Sequence, residues 1–293
     1  MSAYTDPSVK HDALLLFDAI DSNPNGDPDN SGKPRTDLDT GQGITSDASL
    51  KRKVRDVVQF QVGEGVLDAS RFGIFIRRGV SLNNQLEEAY TELGQPIPKA
   101  AKEAKPEQIT SANRYMREHF FDVRMFGAVM STGKAPADRT TGPVTVGIAR
   151  SFDPVLPMDL AITRIASTKE EDRDNASQMG NKTVVPYGLY AVRVHYQPTK
   201  NNLVDEKDLQ VFWNALVNMF DLTRSAARPD IATRGLYVFS HNNALGNAPA
   251  RPLLERIRVT RKDDVEIPAK FDDYQITVNI DDLPEGVAYT SLV

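Results

Sequence analysis

Two segments of this chain carry apolar side chains at helical spacing, and each lies between short segments of strand type. The first follows Ser46, a residue type that caps helix N-termini, and runs to about Gln61. The second follows Asp205 and spans residues 208–222. The apolar stripes are Leu50, Val54, Val57 and Val58 in the first helix, and Leu209, Phe212, Trp213, Leu216 and Phe220 in the second. Helices placed in this way among strands restrict the chain to mixed folds.

The flanking segments have the apolar runs and the alternation that are typical of strands. They are residues 11–20, 71–78, 142–155, 185–198 and 234–240, followed by 253–261 and 274–280. Within 185–198, Leu189, Ala191, Arg193 and His195 alternate with Tyr190, Val192, Val194 and Tyr196. The order strand, helix, strand, repeated once, predicts an α+β domain of ferredoxin-like or RRM-like type, with two helices on one face of an antiparallel sheet. We expect the other face to be open to RNA.

Three segments stand outside this plan, within a single elaborated domain over residues 1–293. Residues 79–141 are polar, contain several prolines, and predict a finger-like insertion with helices near 82–90 and over 111–121. Residues 153–185 form a long polar excursion. Residues 263–293 hold eight acids against Lys270, a net charge of −7, so the overall charge of −5 leaves +2 for residues 1–262. A basic strip on that larger part remains compatible with a polyanionic partner.

The composition narrows the chemistry that the chain can perform. It has no cysteine, which excludes disulfides, thiolate catalysis and thiolate zinc sites. Its four histidines, His11, His119, His195 and His241, show no metal-ligand spacing. The chain lacks an apolar run long enough for a membrane helix and begins without a secretory signal pattern, so we expect a cytoplasmic protein with no membrane partner.

The stretch 21–29, DSNPNGDPD, imitates the start of a calcium loop. Asp21, Asn23, Asn25, Gly26 and Asp29 fall at matching positions, but Gly32 stands where a bidentate glutamate is required. A strand precedes the loop where a calcium loop needs a helix. We therefore expect no calcium site. Clustered aspartates could instead hold magnesium for phosphodiester cleavage, and a plain polar connection is an equally good interpretation.

Positive charge gathers directly after this loop. Lys33 and Arg35 precede Gly41 and Gly43, which lead into the N-terminus of the first helix, where free N–H groups attract anions. Cations early in a helix oppose its dipole unless an anion lies near them. These cations are Lys51, Arg52, Lys53 and Arg55. The pattern predicts a phosphate-binding surface, with a solvated basic face neutralised by Asp47 and Asp56 as the alternative.

Several blocks of sequence, taken in order, resemble the repeated backbone subunit of the type I-C CRISPR Cascade complex, in the superfamily of RRM-like repeat-associated proteins. The blocks are FDAIDSNPNGDPD with PRTD, GQGITSDASLKRKVRD, DVRMFGAVMS, GPVTVGIARSFDPV, MGNKTVVPYGLY and RGLYVFSHNNA. The resemblance implies a non-catalytic subunit without metal or cofactor, whose RRM-like palm binds guide RNA and whose copies polymerise along it. It also implies that residues 153–185 form a thumb-like hairpin that displaces a base.

The resemblance also implies which residues meet RNA and which partners assemble. The RNA-binding candidates are Asn23, Asn25, Lys33, Arg35, Gln42, Ser46, Lys51, Arg52, Arg55, Arg124, Ser131, Thr132, Arg150, Met179 and Lys182, with Met179 as the wedge. The implied partners are crRNA, the target DNA strand paired to the guide, further copies of the chain, Cas five-type and large-subunit proteins, and a recruited helicase-nuclease. The alternative is a metal-dependent endoribonuclease of type III kind that uses Asp21, Asp27, Asp29 or Asp37.

Overall fold

The computed structural model describes residues 2–164, 178–199 and 203–293. The helices in these ranges are α1 (Asp47–Gly63), α2 (Leu82–Glu92), α3 (Pro106–His119), α4 (Phe121–Phe126), α5 (Glu206–Leu222) and α6 (Ala250–Leu254). The strands are β1 (His11–Ser22), β2 (Gln42–Thr45), β3 (Gly127–Met130), β4 (Asp138–Thr141), β5 (Val144–Val146), β6 (Ala149–Pro154), β7 (Met158–Arg164), β8 (Gln178–Tyr196), β9 (Asp230–His241), β10 (Ile257–Arg261), β11 (Tyr274–Val278) and β12 (Val287–Ser291).

An antiparallel sheet forms the centre of the molecule, with the order β12-β9-β1-β8-β6-β2. Strand β1 lies between β8 and β9 and is buried over most of its length, as its apolar run LLLF requires. Strands β5 and β7 pair with β8 at its two ends. None of the helices in the described ranges has the length and apolar character needed to cross a membrane.

One face of the sheet packs against α1 and α5, which confirms both predicted helices and their stripes. Alternate residues of β1 point into this core, and Phe17 stacks on Tyr190 with ring centroids 5.1 Å apart. The Ser46 hydroxyl accepts a hydrogen bond from the Ser49 N–H at 3.3 Å and begins α1. Asp205 and Asp208 form a reciprocal capping box at the start of α5.

The second face of the sheet is more covered than we expected. The other residues of β1, Leu14 and Leu16, pack with Tyr237 and Phe239 against α6 and the β10–β11 hairpin. The predicted strand 253–261 therefore begins only at Ile257, because Leu253 and Leu254 end α6 and turn inward onto the sheet. The part of this face that stays uncovered includes a groove beside α6.

The predicted strand at residues 71–78 is wrong. This segment makes a single bridge, between Gly73 and Phe120, and its apolar residues are divided between two cores. The N–H groups of Phe75 and Ile76 donate to the Asp122 carboxylate at 2.8 and 3.0 Å, so a side chain replaces a strand partner. In the predicted order strand, helix, strand, the strand that follows α1 is instead β6. The predicted strand 142–155 is interrupted between β5 and β6.

The segment 79–141 contains α2, α3, α4 and the β3–β4 hairpin around a core of its own. Helix α3 begins five residues before the predicted start, because Pro106 fits the first helical turn. The helix near 82–90 is confirmed as α2. Strand β7 pairs with residues 178–184 of β8 as a hairpin that extends beyond β1. The residues between these two strands, 165–177, lie outside the described ranges.

Candidate functional site

A groove of about 650 Å³ lies on the second face of the sheet, between β6, β8 and α6. We call it the sheet groove. Its polar lining comes from Gln42, Thr145, Arg150, Ser151, Arg193, His195 and Glu255, and its apolar lining from Leu14, Ile148, Phe152, Ala191, Leu254 and Ile257. Two of the sequence-predicted residues, Gln42 and Arg150, therefore lie together in one groove.

The cations of the sheet groove differ in how far they are neutralised. The Arg150 guanidinium is 2.6 Å from Asp37, and about half of its side chain remains exposed. Arg193 is exposed and makes no ion pair within the described ranges of the chain. Sequence reasoning missed Arg193 and His195, although the alternation in β8 already placed both on one face. As far as the described residues go, the groove therefore presents one guanidinium without an ion pair and one that is balanced by a carboxylate.

The apolar wall of the sheet groove offers flat surface beside these charges. Ile148 and Phe152 are partly exposed on either side of Arg150 along the chain. Guanidinium groups bind phosphates through paired donors, and exposed aromatic rings stack on bases. The combination suits a single-stranded nucleic acid, whose backbone and bases would meet different walls.

A buried carboxylate supports the histidine of the groove. Asp12 is fully buried and accepts hydrogen bonds from His195 Nδ1 at 2.6 Å and from His241 Nε2 at 3.0 Å, and Lys10 Nζ is 3.2 Å away. Burial raises the pKa of Asp12, but the bonds from the two histidines and the charge of Lys10 outweigh it and hold that pKa well below its ordinary value. Asp12 therefore fixes the orientation of the His195 ring at the groove.

Acidification should destabilise the protein near neutral pH through His11. Burial lowers the pKa of His11 below its ordinary value of 6.5, so the unfolded chain binds the proton more tightly than the folded one. This stabilising contribution is complete above pH 6.5 and declines as the pH falls below it, whereas that of Asp12 is lost only in stronger acid. We expect the melting temperature to fall from about pH 7.5 to about pH 5.5, and His11→Gln to reduce that slope.

Thermal unfolding across this range tests the prediction, and His119→Gln serves as a control because His119 is more exposed than His11. An unchanged slope in His11→Gln, or an equal reduction in His119→Gln, would contradict it.

Side-chain hydrogen bonds and ion pairs hold the opening loop, residues 23–41 between β1 and β2, in place. Asn25 Oδ1 accepts from the Ser46 N–H at 2.8 Å, and Asn23 Nδ2 donates to the Gly32 carbonyl at 2.8 Å. Arg35 pairs with Asp27 at 3.1 Å, and Lys33 pairs with Asp159 of β7 at 2.9 Å. Asn25 thus holds the loop against the start of α1, Asn23 ties two parts of the loop together, and the two cations remain partly exposed.

The cations of α1 divide between surface and core. Lys51 pairs with Asp47 and Arg52 with Asp56, each one turn away on the same helix. Arg55 does not face solvent: its Nε is 2.7 Å from Asp122, and both side chains are buried. Gly43 is also buried, and a side chain there would collide with Tyr190, so its role is packing and not phosphate approach. Arg55 and Gly43 therefore lie in the interior and not on the predicted phosphate-binding surface.

Arg124 requires a second correction. Its side chain is 0% exposed and bonds to Asp208 through Nη2 at 2.7 Å and Nε at 3.0 Å, which joins α4 to α5. An arginine enclosed in this way belongs to the core and has no surface to offer RNA.

The remaining candidates lie in two other places. Ser131 and Thr132 are exposed at the end of β3, where Thr132 bonds to Asn83 at 3.2 Å. Lys182 lies in β8 opposite Leu160 on the β7–β8 hairpin. Met179 lies in the same strand, and its side chain is outside the described part of the structure. The structure therefore does not gather these residues around the sheet groove.

The loop aspartates named in the endoribonuclease alternative have separate surroundings. Asp27 pairs with Arg35 and Asp37 with Arg150, while Asp21 and Asp29 are exposed. Within the described ranges no three histidine, aspartate or glutamate side chains converge to hold a metal ion.

Comparisons with known proteins give a consistent family. The family described as "CRISPR-associated protein Cas7" matches residues 9–279. A curated protein of Haloferax volcanii with the same description is 26% identical over 199 residues, which cover 62% of this chain and 54% of that protein. The chain thus spans about half the length of this curated relative.

Similar chains also occur in solved structures. One belongs to a "CRISPR RNA-guided surveillance complex, pre-nicking", with a TM-score of 0.47, 15% identity, and coverage of 79% of this chain and 78% of that chain. Another belongs to a "Type III-B Cmr-beta bound to cognate target RNA", with a TM-score of 0.42, 10% identity, and coverage of 78% and 61%.

Proposed function

The chain belongs to the CRISPR-associated protein Cas7 family, and from this we propose that it is a guide-RNA-binding backbone subunit of a type I-C Cascade complex. Copies of the chain polymerise along crRNA and present it for pairing with target DNA. The observation that carries the RNA-binding part is the sheet groove, in which Arg150 and Arg193 lie beside the exposed ring of Phe152.

In this proposal the central sheet is an RRM-like palm. Strands β1, β6, β8 and β9 supply its four strands in the order β9-β1-β8-β6, with α1 after the first and α5 before the last. The groove lies on the face away from the helices, which is the face that RRM domains use for RNA. The C-terminal segment narrows that face but leaves the β6 and β8 side chains accessible.

Contacts between these cations and RNA phosphates suit a guide RNA whose sequence varies. Arginine and lysine on phosphates give affinity and register without reading bases, and recognition of the target is then left to base pairing. Lys33, Arg35, Lys51 and Arg52 are partly exposed, each paired with an aspartate, and in this proposal they add phosphate contacts along the loop and the start of α1. Weak binding per copy suffices when many copies add along one strand.

The β7–β8 hairpin serves as the thumb of this subunit. It extends beyond the sheet, and Lys33 ties its base to the opening loop through Asp159 at 2.9 Å. We place Met179 near its end as the wedge between bases. The further partners in this proposal are the Cas five-type subunit, the large subunit and the recruited helicase-nuclease.

The subunit binds and does not cleave in this proposal. The pairing of Asp27 with Arg35 and of Asp37 with Arg150 favours a structural role for these two carboxylates. Cleavage of complementary RNA at regular intervals in magnesium, lost in Asp27→Ala or Asp37→Ala, would contradict this part.

The number of copies bound to each RNA molecule tests the proposal as a whole. We expect the number of copies bound, measured by mass photometry, to rise in even steps with the length of a single-stranded RNA, independently of its sequence. A constant single copy on all lengths would indicate a stand-alone RNA-binding module instead.

A further inference from the structure

An apolar pocket of about 300 Å³ lies at the base of the β7–β8 hairpin, on the second face of the sheet. We call it the hairpin pocket. Its lining includes Val155, Leu156, Pro186, Tyr187, Ile267 and Tyr274. Leu156 and Ile267 at its mouth are 82% and 80% exposed. Apolar side chains this exposed around a concave surface are typical of a docking site.

The loop segment 262–270, between β10 and β11 at the rim of the hairpin pocket, carries three exposed acids and two exposed lysines, Lys262 and Lys270. Asp263, Asp264 and Glu266 lie on the same loop as Ile267, between β10 and β11, and all three are exposed. They make no ion pair within the described ranges of the chain. The carboxylate in the pocket wall, Asp153, is already satisfied by Arg261 at 3.0 Å and by the Tyr274 hydroxyl at 2.7 Å. The three loop acids are therefore free to meet cations from outside.

The complementary surface lies on the same chain, in the segment that follows Phe75. Ile76 is 41% exposed and is followed by Arg77 and Arg78, both exposed and without an ion pair within the described ranges. The backbone here is held firmly, because Phe75 is buried and Asp122 accepts from the N–H groups of Phe75 and Ile76. The buried Arg55 holds Asp122 in turn at 2.7 Å.

We propose that Ile76 of one copy enters the hairpin pocket of a second copy, while Arg77 and Arg78 pair with Asp263, Asp264 and Glu266. This inference rests on the proposed function and names the surfaces through which its copies meet. Charge complementarity selects this occupant: an apolar side chain flanked by two arginines meets an apolar pocket beside a loop segment whose three acids outnumber its two exposed lysines. Arginine is also enriched in interfaces.

The position of the two surfaces makes the contact propagate. The hairpin pocket lies on the sheet face away from α1, whereas the Ile76 segment follows Phe72 and Ile74, which pack into the core on the α1 face. A contact between two different surfaces on opposite sides of a subunit leaves one free surface at each end, so copies add in one direction. Open assemblies of this kind match a strand of RNA whose length sets the number of copies.

Charge reversal tests the contact on the full chain with RNA. One variant carries Arg77→Glu with Arg78→Glu, a second carries Asp263→Lys with Asp264→Lys, and a third carries all four changes. We expect each double variant to need about tenfold more protein to fill a long single-stranded RNA, because like charges then face each other. The fourfold variant should recover most of the loss. Lys102→Glu with Lys105→Glu, on the insertion 79–141 that follows Arg78, is the matched control and should change little.

Mass photometry on a long RNA and on an RNA that holds one copy separates the possible outcomes. Normal binding of the short RNA by both double variants, with poor filling of the long one, supports the contact. Unchanged filling by both, an equal loss in the lysine control, or no recovery in the fourfold variant overturns it while the proposed function stands. A wild-type chain that never exceeds one copy on a long RNA overturns both.

Discussion

Arg124→Met should lower the free energy of unfolding by about 3 kcal/mol, because it removes the buried partner of the Asp208 carboxylate and leaves Arg71, at 2.7 Å, to balance its charge. Arg124 and Asp208 both have side chains that are 0% exposed, and they share two hydrogen bonds, at 2.7 and 3.0 Å. Arg124 also donates to the carbonyls of Arg117 and Arg71 at 2.8 and 3.2 Å. Methionine fills similar volume but satisfies none of these acceptors.

Urea denaturation followed by circular dichroism measures this loss. Arg114→Met is the matched control: Arg114 pairs with Glu118 at 2.7 Å, but the pair is exposed on the surface of α3, so its removal should have little effect. If Arg124→Met were as stable as the wild type and bound RNA more weakly, the placement of Arg124 in the core would be wrong and the role implied by the resemblance would return.

The buried positions of Arg55 and Arg124 could not be predicted from the sequence. Each looks like a free cation in its own segment, since the acid that neutralises it lies far along the chain. Asp122 is 67 residues from Arg55, and Asp208 is 84 residues from Arg124. Helical spacing identifies neighbours within a few residues, and these pairings exist only after α4 has packed against α1 and α5.

The predictions that succeeded depend on local physics. Each can be read from the sequence of a single element: the caps at Ser46 and Asp205, the apolar stripes of α1 and α5, and the alternation in β8. The predicted strand at 71–78 failed because its N–H groups bond to the Asp122 side chain, which no pattern within the segment reveals. The sheet groove was only half predicted, since alternation separates the two faces of β8 without showing which one the C-terminal segment leaves open.

The predicted RNA surface carries less free charge than its residue types suggest. Lys33, Arg35, Lys51, Arg52 and Arg150 each pair with an aspartate of the same chain. In the proposed function RNA competes with these carboxylates for the same cations, which weakens the binding of a single copy. Weak binding per copy agrees with an assembly in which affinity accumulates along the strand.

Arg150→Ala with Arg193→Ala should weaken RNA binding more than Lys51→Ala with Arg52→Ala. Within the described ranges Arg193 makes no ion pair, and Glu255 in the same groove pairs with Arg251 at 3.3 Å, whereas Lys51 and Arg52 are both neutralised on their own helix. We expect about a tenfold or greater loss for the groove pair, uniform across RNA sequences. If each guanidinium holds one phosphate, the slope of log affinity against log salt should fall by about 1.4, since each contact on a single strand contributes about 0.7.

Fluorescence anisotropy with a labelled single-stranded RNA that holds one copy, between about 50 and 200 mM salt, measures both quantities. The short RNA excludes contacts between copies, so the loss reports the sheet groove alone. Lys99→Ala with Lys102→Ala removes equal charge from the distant insertion and should leave the slope unchanged. An equal loss of affinity in that control would mean that net charge alone explains the effect. A larger loss for Lys51→Ala with Arg52→Ala would place the RNA on α1. A phosphate at the N-terminus of that helix must then displace Asp47 from Lys51.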